Sequence, residues 1–311
     1  MEISSRQVAI VQCPGYERRA MKEHLAALAA ATGFHLPAGS RVVLKPNLVS
    51  GRGHNGLACT HPEFVAAAAE WCLDNGAQVA IGDSPAFGRA PAVMRACGYA
   101  ASLKGLPVEL IHFATARQVR LACGERLTLA AEPLDCDVLI NLPKLKAHSQ
   151  TLISLAVKNY FGTVKGFGKA LLHQKLGEDE QAFCRMLVDL LAVLPAGISF
   201  VDGVQAMHRE GPMDGEMFPL AVMAGSINPV ALDTAMLLLL GINPEQSMIW
   251  RETARQQLAG ARPEELVFPL LQPRDVAANG FVLPSTLNPI PFRTMQVVSS
   301  LVKRVRLLLH S

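Results

Sequence analysis

The chain has 311 residues, half of them hydrophobic and 18% charged, with 29 Lys plus Arg against 26 Asp plus Glu. That apolar content excludes intrinsic disorder over most of the length, and at ~150 residues per domain the length fits one large α/β domain or two lobes. A net charge of +3 and 5% aromatic residues supply neither an electrostatic footprint nor stacking platforms for nucleic acid.

Residues 1–6 lack a basic segment followed by an apolar run, and no stretch reaches the ~20 apolar residues that span a bilayer, so the expected location is cytoplasmic. A β-type run at 7–12 leads to an Ala/Leu-rich helix at 17–32. A second run at 41–44 passes through a Gly-rich loop to a helix at 62–75, and a third at 78–81 leads to a helix at 90–97. This alternation predicts a layered, largely parallel α/β sheet with helices on both faces. Thr60 as N-cap, Pro62 in the first turn and Glu63 read as a capping box, with Asn75-Gly76 as the stop.

Further on, short runs at 108–112 and 119–122 read as edge or antiparallel strands, and a lobe boundary, if the chain has one, falls within 100–135. A strong strand at 137–141 precedes a long loop-and-helix region reaching residue 172. An amphipathic helix follows at 181–193, then strands at 198–201 and 220–224 and an apolar helix at 229–240. Asp233 within that helix needs a partner, for which a backbone N–H or a lysine is expected. The α/β domain is placed at 1–280. Residues 281–311 form a tail punctuated by Pro284, Pro289 and Pro291, in which Val298, Leu301, Val302, Val305, Leu308 and Leu309 make one helical stripe and Lys303, Arg304 and Arg306 fall off it. Such a helix packs on its own domain, joins two copies in a homo-oligomer, docks on a protein partner or lies on an anionic membrane surface.

In open parallel sheets ligands sit at the carboxyl ends of strands. Lys45-Pro46-Asn47 follows the second strand, Gly82-Asp83-Ser84-Pro85 the third, Leu142-Pro143-Lys144-Leu145-Lys146-Ala147-His148 the strand at 137–141, and Asp202-Gly203 the strand at 198–201. If the strands run in one direction, these clusters converge on one edge. Lys45, Lys144, Lys146 and Lys158 would then bind a small organic anion, with Asn47, Ser84 and Asn159 orienting it. His148 or His173, held by Asp83 or Asp202, would move a proton near neutral pH.

Several familiar chemistries fail on particular atoms. The run 158–169 carries Lys158, Gly162, Lys165, Gly166, Gly168 and Lys169 and resembles an anion loop, but it is one residue too long for a Walker A motif and has Ala170 where a Ser or Thr is required. No G-x-G-x-x-G follows the first strand. Gly82-Asp83-Ser84-Pro85-Ala86 mimics a nucleophile elbow, yet Pro85 has no N–H to give an oxyanion hole. The seven cysteines form no Cys-x-x-Cys pair, which argues for reduced thiols and against a disulfide framework or a dedicated metal cage. His61 and His208 read as structural, and no metal is expected.

Taken together, Lys45-Pro46-Asn47, Thr60-His61-Pro62, Gly82-Asp83-Ser84-Pro85, residues 142–148, Lys158-Asn159-Tyr160-Phe161-Gly162, His173, Asp202-Gly203 and residues 228–233 resemble the family called domain of unknown function 362, in the same order. The resemblance implies iron–sulfur redox partners for some members, through fused ferredoxin-type modules whose cysteine ligation this chain lacks. The cofactor is left unassigned. Two readings follow: an enzyme of the oxidoreductase or isomerase/lyase type acting on a bound carboxylate or phosphate, or a non-catalytic carrier of an anion or cofactor, as an accessory to an iron–sulfur system.

Overall fold

The computed structural model describes residues 5–50, 56–85, 88–165, 179–213 and 215–287. His173, the end of the 158–169 run from Gly166 onward and, within the 281–311 tail, residues 288–311 with the amphipathic stripe lie outside the described residues. Along the chain run β1 (Ala9–Gln12), α1 (Arg18–Ala31), β2 (Arg41–Pro46), α2 (Pro62–Asp74), β3 (Gln78–Ile81), α3 (Ala90–Ala96), α4 (Tyr99–Ser102) and β4 (Val108–Leu110). After them come β5 (Ala116–Arg120), β6 (Arg126–Ala130), β7 (Val138–Leu142), β8 (Lys144–His148), β9 (Leu152–Ser154) and α5 (Ala156–Asn159). The chain continues through α6 (Glu180–Asp189), β10 (Ser199–His208), β11 (Glu216–Phe218), β12 (Val222–Ser226), α7 (Pro229–Leu239) and α8 (Met248–Arg255).

The main sheet is ordered β1-β12-β10-β7-β2-β3-β4, and its five strands from β10 to β4 are mutually parallel. Strand β12 runs against β10, and β1 runs against β12, so the first strand closes an antiparallel margin. Strands β2 and β7 are apolar on both faces, as a strand covered on two sides must be. Val42 and Leu44 face a cluster with Leu25, Leu28 and the run Phe64–Ala69, while Val43 and Leu139 face Phe183, Met186 and Leu187 of α6. The alternation places helices on both sides of the sheet. In α2 the four consecutive alanines 66–69 are all fully buried, because small side chains let the helix lie close to its neighbours.

Two local expectations are corrected. Thr60 does not cap α2. The N-cap is His61, whose Nδ1 accepts the Glu63 N–H at 3.2 Å, and the buried Thr60 hydroxyl accepts the Asn47 N–H and donates to the Leu142 carbonyl instead. The segment read as a loop after β7 is the strand β8, which pairs with β10 in parallel and with β9 in antiparallel and is buried along its whole length. The two-stranded β5–β6 sheet packs Leu127 and Leu129 into the cluster that contains Val43 and Leu139.

Candidate functional site

The polar residues at the strand exits do meet. Lys45 near the end of β2 and Asp83 two residues beyond β3 form an ion pair of 2.8 Å, with side chains 0% and 3% exposed. Asp83 Oδ2 also accepts the Leu48 N–H at 2.8 Å, whereas its Oδ1 has the ammonium nearby without a well-aligned hydrogen bond. Burial pushes the Lys45 ammonium below its usual range, and Asp83 pulls it back only in part. Gly162 covers the pair so closely that a methyl group there would overlap Asp83 Oδ1 and Lys45 Nζ.

A second buried ion pair stands alongside: Lys144 Nζ donates to Asp202 Oδ2 at 2.9 Å. The Tyr16 hydroxyl bridges it, accepting from Lys144 at 2.8 Å and donating to Asp202 Oδ1 at 2.8 Å, and the His61 N–H reaches Asp202 Oδ2 at 2.9 Å. The Tyr16 ring stacks on His61 with centroids 3.6 Å apart. Burial first, and then the Asp202 charge, drive the Tyr16 phenol far above its usual range, while burial lowers the His61 imidazolium. Tyr16 therefore acts as a neutral hydroxyl that passes hydrogen bonds between the two charges.

Period-two alternation along β8 puts Lys144, Lys146 and His148 on one face and Leu145 and Ala147 on the other. Lys146 is 1% exposed, and its Nζ donates to the Ala58 carbonyl at 2.8 Å, which also accepts the Asn47 side-chain N–H at 2.7 Å. Among the described residues no carboxylate forms an ion pair with Lys146 or Lys158. Burial, reinforced by Lys158 and Lys144, lowers Lys146 to about 7, and burial lowers Lys158 to about 8. His148 is buried, and its Nδ1 accepts the Gln150 N–H at 3.1 Å, an arrangement that assigns the proton of the neutral ring to Nε2.

Asn159 donates to Asn141 Oδ1 at 2.8 Å and to the Lys45 carbonyl at 3.4 Å, while Asn141 donates to Ala156 and Ser199. Asn47 thus braces the Ala58 carbonyl that holds Lys146, and Asn159 braces the backbone of Lys45. Ser84 is partly buried beside Asp83 in sequence. Asp233 accepts the Ala156 and Val157 N–H groups at 2.8 and 3.2 Å, the backbone partners expected for it, and burial raises its carboxyl to about 7. His208 is structural: its Nδ1 accepts the Val282 N–H and its ring lies against Phe218 and Phe281.

The residues that sequence reasoning missed are Tyr16, His61, Asn141 and Gly162. Tyr16 sits four residues beyond β1, so the exit rule applied to the first strand reaches it. Gly162 had no signal beyond its place in a Gly-rich run. Among the described residues no group of three His, Cys, Asp or Glu side chains could hold a metal ion, and no helix is long and apolar enough to cross a membrane.

Comparison with known proteins places these observations in a lineage. The chain is 34% identical over 304 residues to the thylakoid-associated protein of Synechocystis sp., covering 96% of this chain and 94% of that one. Among solved structures it is similar to the lactate racemase apoprotein of Thermoanaerobacterium thermosaccharolyticum, with a TM-score of 0.45 and 11% identity, over 75% of this chain and 56% of that one. A Thermotoga maritima protein gives a TM-score of 0.38 at 10% identity, over 67% of this chain and again 56% of the other. The chain spans little more than half of either structure. The family pattern named domain of unknown function 362 matches residues 42–237, an interval that holds every lysine, aspartate and asparagine of the site just described, and the chain belongs to that family.

Proposed function

We propose that the protein binds a small organic anion, a carboxylate or phosphate, at the carboxyl edge of its parallel sheet and moves a proton to or from it, as in isomerisation or elimination. The observation that carries this reading is Lys146, enclosed with a neutral carbonyl as its anchor and pushed towards the free amine by burial and by two neighbouring lysines. Cys59 opposes that push only in part, and an anion placed beside Lys146 adds the further counter-charge. Lys45 and Lys144 already face Asp83 and Asp202, so the charge available to a ligand is that of Lys146 and Lys158.

Proton transfer needs an acceptor and a donor in the right states at neutral pH. Anion binding itself puts a proton on Lys146, so the ammonium is the donor and the amine it leaves is the acceptor of the return proton, with His148 on the same face of β8. Lys146 and His148 stand two residues apart there, about 6.6 Å at ~3.3 Å per residue, a span that a small organic anion bridges. Asp83 and Asp202 hold Lys45 and Lys144 in place. Acetate, which keeps one charge from pH 6 to 9, is the test ligand, with calorimetry in two buffers of different ionisation enthalpy. Above pH 7 its binding should take up close to one proton, and Lys146→Met should abolish that uptake. Binding without proton uptake, equal in the wild type and Lys146→Met, overturns the reading.

A second reading concerns location. The relative carries the name thylakoid-associated protein, and the tail sequence from Arg293 onward combines an apolar stripe with four basic residues and no acid. We infer that this tail holds the protein on an anionic membrane surface. Co-sedimentation with vesicles containing anionic lipid should be lost on truncation after Leu287 and in neutral vesicles. A full-length chain that stays in the supernatant with both vesicle types refutes it.

A further inference from the structure

Cys59 and Cys97 lie 38 positions apart in sequence and are near enough in the fold for each thiol to act on the charge of the other. A hydrogen bond and a close approach set the segments that carry them side by side. The Tyr99 hydroxyl, two residues beyond Cys97, donates to the Thr60 carbonyl at 2.9 Å, and a side chain added at Gly98 would meet the Pro62 ring. The end of α3 is thereby pinned along residues 60–62. Cys59 is 2% exposed and its Sγ accepts the Val49 N–H at 3.4 Å, whereas Cys97 is partly exposed.

Polarity distinguishes the pair from the other cysteines. The Cys97 thiol, the Val49 N–H and the Lys146 ammonium all favour negative charge on Cys59 and bring its thiol down to about 6, in spite of burial. Burial raises Cys13, Cys72 and Cys184, and also the partly exposed Cys123 and Cys136, so those five remain protonated thiols. A thiolate with a thiol nearby is the arrangement that reacts with an oxidant and is then resolved intramolecularly.

We propose that Cys59 and Cys97 form a redox-active dithiol that a hydroperoxide converts to an intramolecular disulfide. The Cys59 thiolate attacks one peroxide oxygen, the O–O bond breaks, and Cys59 becomes a sulfenic acid as the other oxygen leaves as hydroxide or alkoxide. Cys97 then attacks the Cys59 sulfur, the S–O bond breaks, and the departing hydroxide takes the Cys97 proton to leave as water. Two thiols are oxidised and one peroxide is reduced by two electrons; an external dithiol reverses the change. Because Ala58, next to Cys59, anchors Lys146, oxidation removes a negative charge beside that amine. The dithiol therefore sets the protonation of the residue that the proposed anion site depends on.

The test is titration of the reduced full-length protein with hydrogen peroxide under native conditions, followed by alkylation, proteolysis and mass spectrometry. Two of the seven thiols should become resistant to alkylation, the Cys59 and Cys97 peptides should be linked, and dithiothreitol should restore both. In Cys97→Ser the thiolate absorbance should appear at a higher pH than in the wild type, and in Cys59→Ser it should be lost below pH 8; both readings are taken on variants with wild-type circular dichroism. Linkage of other cysteines in preference to this pair, or oxidation of Cys59 to sulfinic acid with Cys97 still free, overturns the proposal. If both serine variants fail to fold, the wild-type peptide map decides alone.

Discussion

Gly162 stands against Asp83 with no room for even a methyl group between its Cα and the carboxylate that holds Lys45. The glycine is there for close approach, since it has no left-handed φ to accommodate. Gly162→Ala forces the buried pair apart and should cost about 1–3 kcal/mol, as overpacking does. Lys45→Met should cost more, about 3–5 kcal/mol, because it strands the Asp83 charge, while Lys45→Met combined with Asp83→Leu should recover most of that loss. Urea denaturation of the four proteins checks the order. A double variant no better than Lys45→Met shows that the two side chains do not act as a pair.

Tyr16→Phe leaves the ring on His61 and removes only the hydroxyl between Lys144 and Asp202. Asp202 Oδ1 then lacks the hydrogen bond it receives from that hydroxyl in a buried site, at a cost of about 1–3 kcal/mol. The denaturation midpoint should fall and the slope should stay as it was. An unchanged midpoint means that the bridge contributes nothing.

Asp233 and Lys146 give the stability curve a defined shape. Burial raises Asp233 to about 7, against ~3.9 in an unfolded chain. The native state keeps that proton longer, so this group lowers stability as pH climbs from about 4 to about 7. Lys146 is lowered to about 7 from ~10.4 unfolded, so the unfolded chain holds the extra proton and stability rises from about 7 to about 10. The two contributions meet in a minimum near neutrality. Thermal melts from pH 4 to 10 should show Asp233→Asn flattening the acid arm and Lys146→Met the alkaline arm. Variants whose curves parallel the wild type at every pH contradict the assignment.

The parallel core was legible because its strands are apolar runs separated by helical periods: residues 41–44, 78–81 and 137–141 became β2, β3 and β7 within one or two positions. The convergence of Lys45 with Asp83 and of Lys144 with Asp202 was legible too, from the rule that loops at carboxyl ends carry polar groups. Hidden from sequence was the pairing itself. A strand such as 144–148, with two lysines and a histidine on one face, looks like a solvated loop until a buried carboxylate and a carbonyl are supplied from 58 and 88 positions away. Tyr16 and His61 were hidden for the same reason, since stacking between residues 45 positions apart leaves no local trace. Thr60 was misread because an N-cap preference is local, whereas its hydroxyl is claimed by β7.

Among the described residues the ladder partner of the first strand to be made is β12, at Val222–Gly225. Tyr16, delivered by the turn that follows it, cannot settle between Lys144 and Asp202 until that late strand has been synthesised and has docked on β10. A nascent chain on the ribosome can lay down the parallel centre early, but it carries an open seam until more than two hundred residues have emerged. A chain ended before β12 would lack α7 and α8 as well, and the strand that β1 needs to carry Tyr16 to Lys144 and Asp202.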